Sequence, residues 1–521
     1  MKNLKNLLRA AALMALVNCR SAATAQEVLI PDPGLNAAVR QSLNKPTGPL
    51  SRQDLLALRV LNAHGLNISN LAGLEAALNL NTLLLFSNQI TNYNLPTLTN
   101  LVILDLSANS IASISLPAGM SNLFSLLIGG NRLTSLTLPP GLVGLEELGL
   151  HGNQLAQLTL PPDMTGLFTL DLDGNPLTQL VLSQTEASHV PGTVATLQNQ
   201  GIPVFTYPST VRLTLPQEQP VGAFRFGITG PPGVYAVYAS SNLTDWAALN
   251  FVNNPLGSVL FLDPVANLSP RKFYRVSAVT PPANMVFVPA NTFTLGSPAN
   301  ETGHQDDEGP QTVVELTHGF WMGKYEVTQA EYLAVTGTNP SGFPGDLTRP
   351  VESVSFFAAS NYCVLLTQQE LAAGRIPPGS HYRLPTEAEW ECAARAGTTN
   401  RFYYGDDPAL SDLSNHAWFG AHDGITTHPV GQKLPNAWGL YDMEGNVWEW
   451  CQDWYGSYPG GGVIDPQGPA TNPTGWKVIR GGAWESSELE CRSASRWFEP
   501  ASPFISDFII GFRVVLATDG Q

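Results

Sequence analysis

Three stretches of the chain differ in the spacing of their hydrophobic residues. Between residues 26 and 206, leucines alternate with other residues in short strings that recur about every 22 residues. Residues 207–280 carry short alternating runs separated by turn residues, a pattern typical of antiparallel strands. Beyond residue 285, two segments have helical spacing, and Thr386 followed by Glu389 predicts a capping box at the second helix. The pattern therefore predicts a multidomain protein.

One asparagine stands at the same place in each of five strings: LLLFSNQI, LDLSANSI, LLIGGNRL, LGLHGNQL and LDLDGNPL. These asparagines are spaced by 21, 22, 22 and 22 residues: Asn88, Asn109, Asn131, Asn153 and Asn175. The pattern resembles leucine-rich repeats, whose leucines stack inward and whose asparagine bonds the main chain beyond each strand. Leu61 to Ile68 fit as a degenerate first repeat with Leu66 in the asparagine position. We expect two short helices over 27–57, and a helix and strand over 194–206, to cap this solenoid.

The residues between the inward leucines are predicted to form the concave face of the repeats. This face runs from apolar at the front to acidic at the back and carries no Lys or Arg; its candidate ligand-binding residues are Asp105, Glu147, His151, Asp171 and Asp173. One interpretation is a binding surface for a polar or cationic partner. The other is a spacer whose acidic residues only keep it solvated.

The middle stretch, residues 207–280, is predicted to be a β-sandwich. The strings YAVYASSNLTDW and FYR within it resemble a small immunoglobulin-like module found in secreted bacterial proteins. No catalytic spacing is present there, so we expect a linker, and Pro281-Pro282 marks its end.

Composition narrows the possible functions. Charged residues make up 13% of the 521 residues, and the net charge is −16. An acidic chain lacks the basic face that nucleic-acid binding requires, and 43% apolar content argues against disorder. No tryptophan precedes Trp246, and ten of the 11 lie at or beyond Trp321, so the last domain differs from the rest.

The N-terminus has the features of a secretory signal peptide over residues 1–25. Lys2, Lys5 and Arg9 precede a short apolar run and a small-residue segment before Gln26. A lipid anchor on Cys19 is the alternative, and no segment is long enough for a transmembrane helix. We therefore expect a secreted, periplasmic or cell-surface protein. Four cysteines remain after cleavage, and in an exported chain this even number makes two disulfides an expectation.

Six motifs in the last stretch carry a family resemblance: MVFVPANTFTLGS, FWMGKYEVTQAEY, RLPTEAEWECAARAG, PNAWGLYDMEGNVWEWCQDWY, IRGGAWES with CRSASR, and IGFRVV. Residues 285–516 look like the formylglycine-generating enzyme, or sulfatase-modifying factor, family. The resemblance implies an α+β domain with little regular secondary structure.

The family's chemistry depends on two thiolates. Its active members oxidise a peptide cysteine to formylglycine with O₂ and copper(I), which soft sulfur ligands hold. Here Ser486 stands four residues after the Gly-Gly pair, where those members have the first cysteine. Ungapped counting puts Cys491 at the second position, whereas anchoring on the RSASR string places Cys491 three residues away from it; in either alignment one thiolate is missing. A serine hydroxyl is not ionised near neutral pH and is a hard ligand, so the sequence argues against bound copper.

Cys491 has two interpretations: a lone catalytic thiol, or a structural thiol or disulfide partner, for example of Cys451. The related iron enzymes on this fold use three histidines of a preceding helical bundle, which this chain lacks. His416, His422 and His428 fall on a loop-rich stretch without a zinc-binding helix motif.

Calcium is the metal that the resemblance favours. The family's structural Ca²⁺ loop corresponds to Asp442 and Glu449 for side chains and to Gly445 and Val447 for carbonyls. Hard oxygens at this spacing suit one hard cation. A second family site would fall on Asn415 and Asp423 after a gap. The alternative is that main-chain hydrogen-bond donors satisfy the Glu449 carboxylate without a metal.

The tryptophans of the last domain are expected to build most of its core, while Trp448 and Trp484 are candidate ligand contacts. The leading hypothesis is an exported recognition protein that binds a protein, peptide or glycan without oxidising it. The alternative is an oxidoreductase that modifies a protein cysteine, with the repeats selecting the substrate.

Overall fold

The computed structural model describes residues 27–94, 98–264, 266, 271–420, 425–503 and 507–518. The chain consists mostly of strands with few helices. Two compact units divide it: one runs to residue 212 and includes the short segments 229–232 and 255–258, and the other comprises 213–228, 233–254 and everything from 259. The signal-peptide prediction for residues 1–25 lies outside the described residues.

The first unit is built on a parallel sheet with one short strand from each repeat. The sheet has the order β1-β2-β4-β6-β7-β9, and its strands are Val60–Asn62, Thr82–Leu84, Ile103–Asp105, Ser125–Leu127, Glu147–Gly149 and Thr169–Asp171. The central residue of each is a buried leucine, as alternation on a strand requires. A second parallel pair joins β3 (Asn92–Asn94) to β5 (Ser113–Ser115).

The repeat asparagines bond the main chain, as predicted, and they do so as a continuous ladder. Asn131 Oδ1 accepts the amide of Ile111 at 2.9 Å, while its Nδ2 donates to the carbonyls of Leu106 and Ile128 at 3.0 Å. The Leu106 carbonyl also accepts from Asn109, and the Ile128 carbonyl also accepts from Asn153. Each of these carbonyls is therefore shared by two successive asparagines. The degenerate repeat joins the ladder because Leu66 N donates to Asn88 Oδ1.

Short helices stand at both ends of the repeats. At the front they are α1 (Pro33–Ser42) and α2 (Arg52–Ala57), and Asp32 caps α1 by accepting Leu35 N. At the back are α3 (Gln184–His189) and α4 (Pro191–Asn199), with the parallel sheet β11-β10-β8 formed by Val204–Tyr207, Gln179–Ser183 and Gln157–Thr159. These elements cover the open ends of the leucine core.

The middle stretch forms two three-stranded sheets. One is β12-β13-β16, from Arg212–Glu218, Phe224–Thr229 and Ser258–Asp263; the other is β15-β14-β17, from Ala247–Asn254, Gly233–Ser240 and Phe273–Ala278. Aromatic rings of the two sheets meet, since Phe226 lies 5.2 Å from Tyr274 between ring centroids. The sheets thus share an aromatic core.

Where the structure describes the C-terminal region, it contains three small sheets. The first has the order β18-β21-β28-β22, from Met285–Val288, Phe320–Gly323, Val515–Thr518 and Ser380–Arg383. The second is β19-β20-β24, from Asn291–Leu295, Thr312–Leu316 and Gly461–Ile464. The third is β26-β25-β23-β27, from Arg496–Pro500, Trp476–Arg480, Trp448–Trp454 and Ile510–Gly511.

Among the described residues, four α-helices accompany these sheets: α5 (Gln329–Thr336), α6 (Phe356–Ala372), α7 (Glu387–Arg395) and α8 (Leu413–His416). The capping box predicted for α7 is confirmed, because Thr386 Oγ1 accepts Glu389 N and Glu389 Oε2 accepts Thr386 N. Ion pairs lie inside this region; Glu387 receives a bidentate pair from Arg496 at 2.7 and 2.8 Å. Within the described residues no helix is long and apolar enough to cross a membrane.

Candidate functional site

A glycine pair at the end of β25 sets the shape of the site. Gly481 and Gly482 have positive φ angles of 100° and 78°, which L side chains rarely adopt. A Cβ on Gly482 would lie 3.0 Å from Cys491 Sγ, and one on Gly481 would lie 3.1 Å from the Trp390 ring. Both space and backbone conformation therefore require glycine, and the chain turns sharply into residues 483–486.

Three loops meet beyond this turn through their main chains. Trp484 N donates to the carbonyl of Asn446, and Asn446 N donates to the carbonyl of Trp418, both at 2.9 Å. Gly420 N then donates to the carbonyl of Ser486 at 2.8 Å. The residues after the glycine pair are thus held in place by two segments distant in sequence.

Three aromatic rings cluster on this loop. Trp484 lies 5.8 Å from Phe343 and 6.1 Å from Phe508, and those two phenylalanines are 5.9 Å apart. Phe508 is 46% exposed, and the buried indole N–H of Trp484 meets no acceptor among the described residues. Burial raises the pKa of Glu485, and the nearby charges of Asp507 and Glu490 raise it further. We call Phe343, Trp484, Glu485, Asp507 and Phe508 the Trp484 surface.

A second aromatic group lies on the adjoining loop. The Trp418 ring stacks on His428 at 3.8 Å between centroids, and Lys433 Nζ lies 3.6 Å from the Trp418 centroid. Sequence reasoning missed Trp418, Phe343 and Phe508, because no periodicity or spacing relates these positions to the glycine pair.

Of the two tryptophans predicted to contact ligand, only Trp484 lies at this surface. Trp448 begins β23 and packs in a hydrophobic core that also contains Trp450 and Ile510. Trp448 and Trp484 are both 5% exposed, so ligand contact stays a prediction for either ring.

The cysteines are separate buried thiols. Cys363, Cys392, Cys451 and Cys491 are all free, so the expectation of two disulfides, including one between Cys491 and Cys451, is wrong. Cys451 packs in one hydrophobic cluster, whereas Cys491 packs in another with Phe402. Burial raises the pKa of the Cys491 thiol well above its usual value, and the carboxylates of Glu444 and Glu490 add to this. Ser486 Oγ accepts the amide of Ala483 at 3.1 Å.

The predicted calcium loop contains a surplus of buried carboxylates. Glu449 is paired with Arg513, whose Nε and terminal nitrogen approach it at 2.6 Å, and it also accepts Trp390 Nε1 at 2.8 Å. Asp442 Oδ2 accepts Gly431 N at 2.7 Å, whereas its buried Oδ1 has no partner among the described residues. Burial raises the pKa of Asp442 to about 6.

Glu326, which the sequence did not single out, is the third carboxylate of this group. It accepts the Val447 amide at 3.1 Å and the Asn446 side chain at 2.7 Å. Burial raises the pKa of Glu326 well above its usual value, with the charges of Asp442 and Glu449 adding to the effect. One guanidinium thus faces three carboxylates, and the unpartnered Asp442 oxygen fits a hard cation.

The other predicted metal residues are not assembled into a site by the described chain. Asn415 is exposed, and its side chain donates to Asp412 Oδ1 at 2.7 Å, while Asp423 and His422 lie outside the described residues. Across the described ranges, no three side chains among His, Cys, Asp and Glu are grouped as metal ligands. A site at Asp442 and Glu449 would not form such a cluster, because its other two metal ligands would be the main-chain carbonyls of Gly445 and Val447.

The predicted residues of the repeat face lie in or directly after strands β4, β7 and β9: Asp105, Glu147, His151, Asp171 and Asp173. Glu147 accepts the Ser125 hydroxyl at 2.7 Å, and His151 Nδ1 lies 3.1 Å from Asp171 Oδ2. Asp105 accepts the Ser107 amide at 2.9 Å. Some of these carboxylates are therefore already bonded to other groups of the protein.

Comparison with known proteins agrees with the C-terminal motifs. Residues 272–518 match the sulfatase-modifying factor enzyme 1-like domain. The chain is 33% identical over 211 residues to the chaperone protein LppX of Paenibacillus barcinonensis, covering 32% of this chain and 70% of that protein. Through this segment the chain belongs to the sulfatase-modifying factor family.

Two further proteins are similar to parts of the chain. The formylglycine-generating enzyme of Streptomyces coelicolor is 39% identical over 146 residues, or 25% of this chain and 45% of the enzyme. The solved Treponema denticola variable protein 1 is 30% identical, with 44% of this chain and 94% of that chain covered at a TM-score of 0.39. The chain spans only 35–40% of some other curated relatives.

Proposed function

We propose that this chain is an exported recognition protein whose C-terminal domain binds a peptide or glycan at the Trp484 surface without oxidising it. One observation carries the proposal: a serine occupies the first thiolate position after the glycine pair, and the remaining thiol, Cys491, is fully buried. In this proposal, residues 26–206 are leucine-rich repeats and residues 207–280 an immunoglobulin-like linker.

Copper(I) chemistry lacks its ligands here. The Ser486 hydroxyl already accepts a main-chain amide, and oxygen is a hard ligand for a soft ion. Cys491 has no exposed surface, and its raised pKa keeps it protonated at neutral pH. A thiol in this state is a packing group rather than a nucleophile.

The alternative is an oxidoreductase acting on a protein cysteine, which the similarity to formylglycine-generating enzymes favours. The two functions separate in one assay on the purified full chain. We expect no stoichiometric Cu(I) binding and no aldehyde on a cysteine-containing peptide incubated with Cu(I) and O₂. Copper binding together with aldehyde formation would establish the oxidase and overturn the recognition proposal.

The binding surface has its own test. A displayed heptapeptide library and an array of immobilised glycans are screened against the full chain, and ligands are remeasured on Phe508→Ser. Loss of binding in this variant, with binding retained in Phe357→Ser, supports the Trp484 surface. Phe357 is a matched control because it is a similarly exposed phenylalanine, at 50%, on α6. Equal binding by both variants contradicts the assignment.

We also propose a structural Ca²⁺ held by Asp442 and Glu449 with the carbonyls of Gly445 and Val447. Its role would be to neutralise the surplus charge of three buried carboxylates facing Arg513. We expect Ca²⁺ to raise the unfolding temperature over that in chelator, and Asp442→Asn to reduce the increase. An identical unfolding temperature with and without Ca²⁺ would remove the metal from the proposal.

For the repeat face we propose a cationic partner. Asp173 and the His151–Asp171 pair lie on a face that carries no Lys or Arg, so charge complementarity favours a basic ligand. Binding of an oligolysine peptide that weakens in Asp171→Asn and Asp173→Asn supports this role. Binding unaffected by these substitutions leaves the repeats as a spacer.

A further inference from the structure

A row of exposed side chains crosses the repeats, directly before the parallel strands. Val102, Phe124, Glu146 and Phe168 hold the same position in four successive repeats, each one residue ahead of β4, β6, β7 or β9. Their main chains are bonded in series, because Phe124 N donates to the Val102 carbonyl at 2.8 Å. Glu146 N donates to the Phe124 carbonyl at 2.9 Å, and Phe168 N donates to the Glu146 carbonyl at 2.8 Å. These four residues are therefore neighbours on one surface, which we call the Phe168 row.

The Phe168 row is largely apolar although it faces solvent. Phe168 is 75% exposed, Phe124 44% and Val102 37%. Val143, in the loop before β7, is exposed as well. Single exposed apolar residues are common on protein surfaces, but apolar side chains aligned at one repeat position form a patch of the kind that marks an interaction site.

Glu146 interrupts this row with a negative charge between the two phenylalanines. Neighbouring strands lie about 4.8 Å apart, so the main chains of Phe124 and Phe168 are about 10 Å apart with Glu146 midway between them. Within the described ranges, no ion pair or side-chain hydrogen bond joins the exposed Glu146 carboxylate to another residue. Arg59 holds the equivalent position before β1, four strands and about 19 Å away. The charge of Glu146 is therefore open to a partner.

The concave repeat face adds negative charge beside the row. Glu147 follows Glu146 directly, Asp171 ends β9 and Asp173 lies just beyond it, while Lys and Arg are absent from this face. The chain as a whole carries a net charge of −16, so a second copy would be repelled. Charge complementarity thus favours a cationic occupant, and the Phe168 row favours one that also carries apolar groups.

A polypeptide presents both kinds of group on one face. Side chains on one face of an extended chain recur about every 7 Å, while successive members of the Phe168 row recur about every 5 Å. Flexible basic side chains can bridge this difference, because Lys and Arg carry long apolar stems. A small polyamine has the charge without apolar side chains, and would leave Val102 and the two phenyl rings in water.

We infer that the cationic partner proposed for the repeat face is a polypeptide segment in which basic and apolar residues alternate. Phe124, Glu146 and Phe168 bind one of its Lys or Arg side chains: the carboxylate pairs with the cation, and the rings attract its charge and pack against its stem. Val102 extends the apolar contact. The inference rests on the proposed cationic partner and adds the Phe168 row as a second contact surface for it.

The test uses the full chain and three twelve-residue peptides: four repeats of Lys-Leu-Gly, of Lys-Gly-Gly and of Ser-Leu-Gly. The first two carry the same charge, and the first and third carry the same leucines, so the two contributions separate. In isothermal titration calorimetry we expect the Lys-Leu-Gly peptide to bind about tenfold more tightly than the Lys-Gly-Gly peptide, or better. We expect no measurable binding of the Ser-Leu-Gly peptide.

Two variants address the row itself. Phe124→Ser/Phe168→Ser should bring the affinities of the two lysine peptides to within about twofold of each other, because it removes the apolar contact. Glu146→Gln should weaken the Lys-Leu-Gly peptide by about threefold or more, because it removes only the charge. Phe357→Ser and Glu315→Gln are the matched controls, since both residues are exposed in the second unit, and unchanged affinities are expected. Urea unfolding checks that each variant is folded.

The outcomes separate this inference from the proposal on which it rests. Equal binding of the two lysine peptides, unaffected by the row variants but weakened by Asp171→Asn, overturns the inference and leaves the cationic partner in place. Failure of both lysine peptides to bind overturns the inference and the cationic partner together. Equal binding of the Ser-Leu-Gly and Lys-Leu-Gly peptides also overturns the inference, because the row would then be an uncharged contact.

Discussion

Replacing Asn131 with alanine should measure what the asparagine ladder contributes to the repeats. The substitution removes the acceptor of the Ile111 amide and the donor to the carbonyls of Leu106 and Ile128. Both carbonyls keep a second asparagine, Asn109 or Asn153, so only the amide is left without a partner.

The expected loss of stability follows from this difference between the unpaired amide and the two shared carbonyls. An unpaired buried amide costs about 1–3 kcal/mol, and each of the two lost bonds to a carbonyl that stays partly satisfied costs about 0.5–1 kcal/mol. We therefore expect Asn131→Ala to lower the free energy of unfolding by about 2–5 kcal/mol. Asn100→Ala is the control: Asn100 is exposed and makes one bond, to the Leu78 carbonyl, so its loss should cost less than about 1 kcal/mol.

The assay is urea unfolding followed by far-ultraviolet circular dichroism, with hydrogen exchange to locate the effect. Exchange at the Ile111 amide should accelerate more than exchange at amides bonded to neighbouring asparagines, such as Leu133. Equal destabilisation by Asn131→Ala and Asn100→Ala would refute the reasoning, because it would mean that the shared carbonyls and the amide are satisfied without Asn131.

Three further outcomes are expected. Burial raises the pKa of Asp453 from 3.8 to about 7, and the charge of Glu387 adds to the effect, so the free energy of unfolding should fall by at most about 4 kcal/mol as the pH rises from about 4 to 7. Thermal unfolding at a series of pH values should show a flatter dependence in Asp453→Asn. An unchanged slope in this variant would assign the pH dependence to other groups. Native Cys491 should resist iodoacetamide at pH 7 and react in urea, as peptide mass spectrometry can show; rapid native labelling would contradict its burial. Gly482→Ala should lower the free energy of unfolding in urea by about 1–3 kcal/mol, because the φ of 78° and the 3.0 Å distance to Cys491 Sγ both oppose a Cβ. Unchanged stability would mean that the turn relaxes to accommodate the methyl group.

The features predicted from the sequence are those whose chemistry is local. The repeat asparagines and the Thr386–Glu389 capping box involve partners at fixed spacings, so pattern alone located them. The Trp484 surface was found only in part, because Phe343 and Phe508 reach Trp484 through long-range packing that leaves no periodic signal. The even number of cysteines led to a wrong expectation of disulfides, because a count does not show which thiols lie close together in the fold.

Glu326 illustrates the limit within the predicted calcium loop. The family spacing pointed to Asp442 and Glu449, but the charge balance depends on Glu326, more than 100 residues earlier, and on Arg513 near the end of the chain. The net charge around a buried carboxylate depends on which residues the fold brings near it, and a short stretch of sequence does not contain those residues.

The shared carbonyls of the asparagine ladder bear on how the length of the repeat array can change. Each repeat is held in register by main-chain groups of the one before and the one after, with equivalent bonds at every step. Deleting one complete 22-residue unit, residues 110–131, would let the next asparagine bond an equivalent carbonyl, whereas deleting part of a unit would misalign every later bond. The array can therefore lengthen or shorten only by complete repeats, and its reach toward a ligand changes in fixed steps.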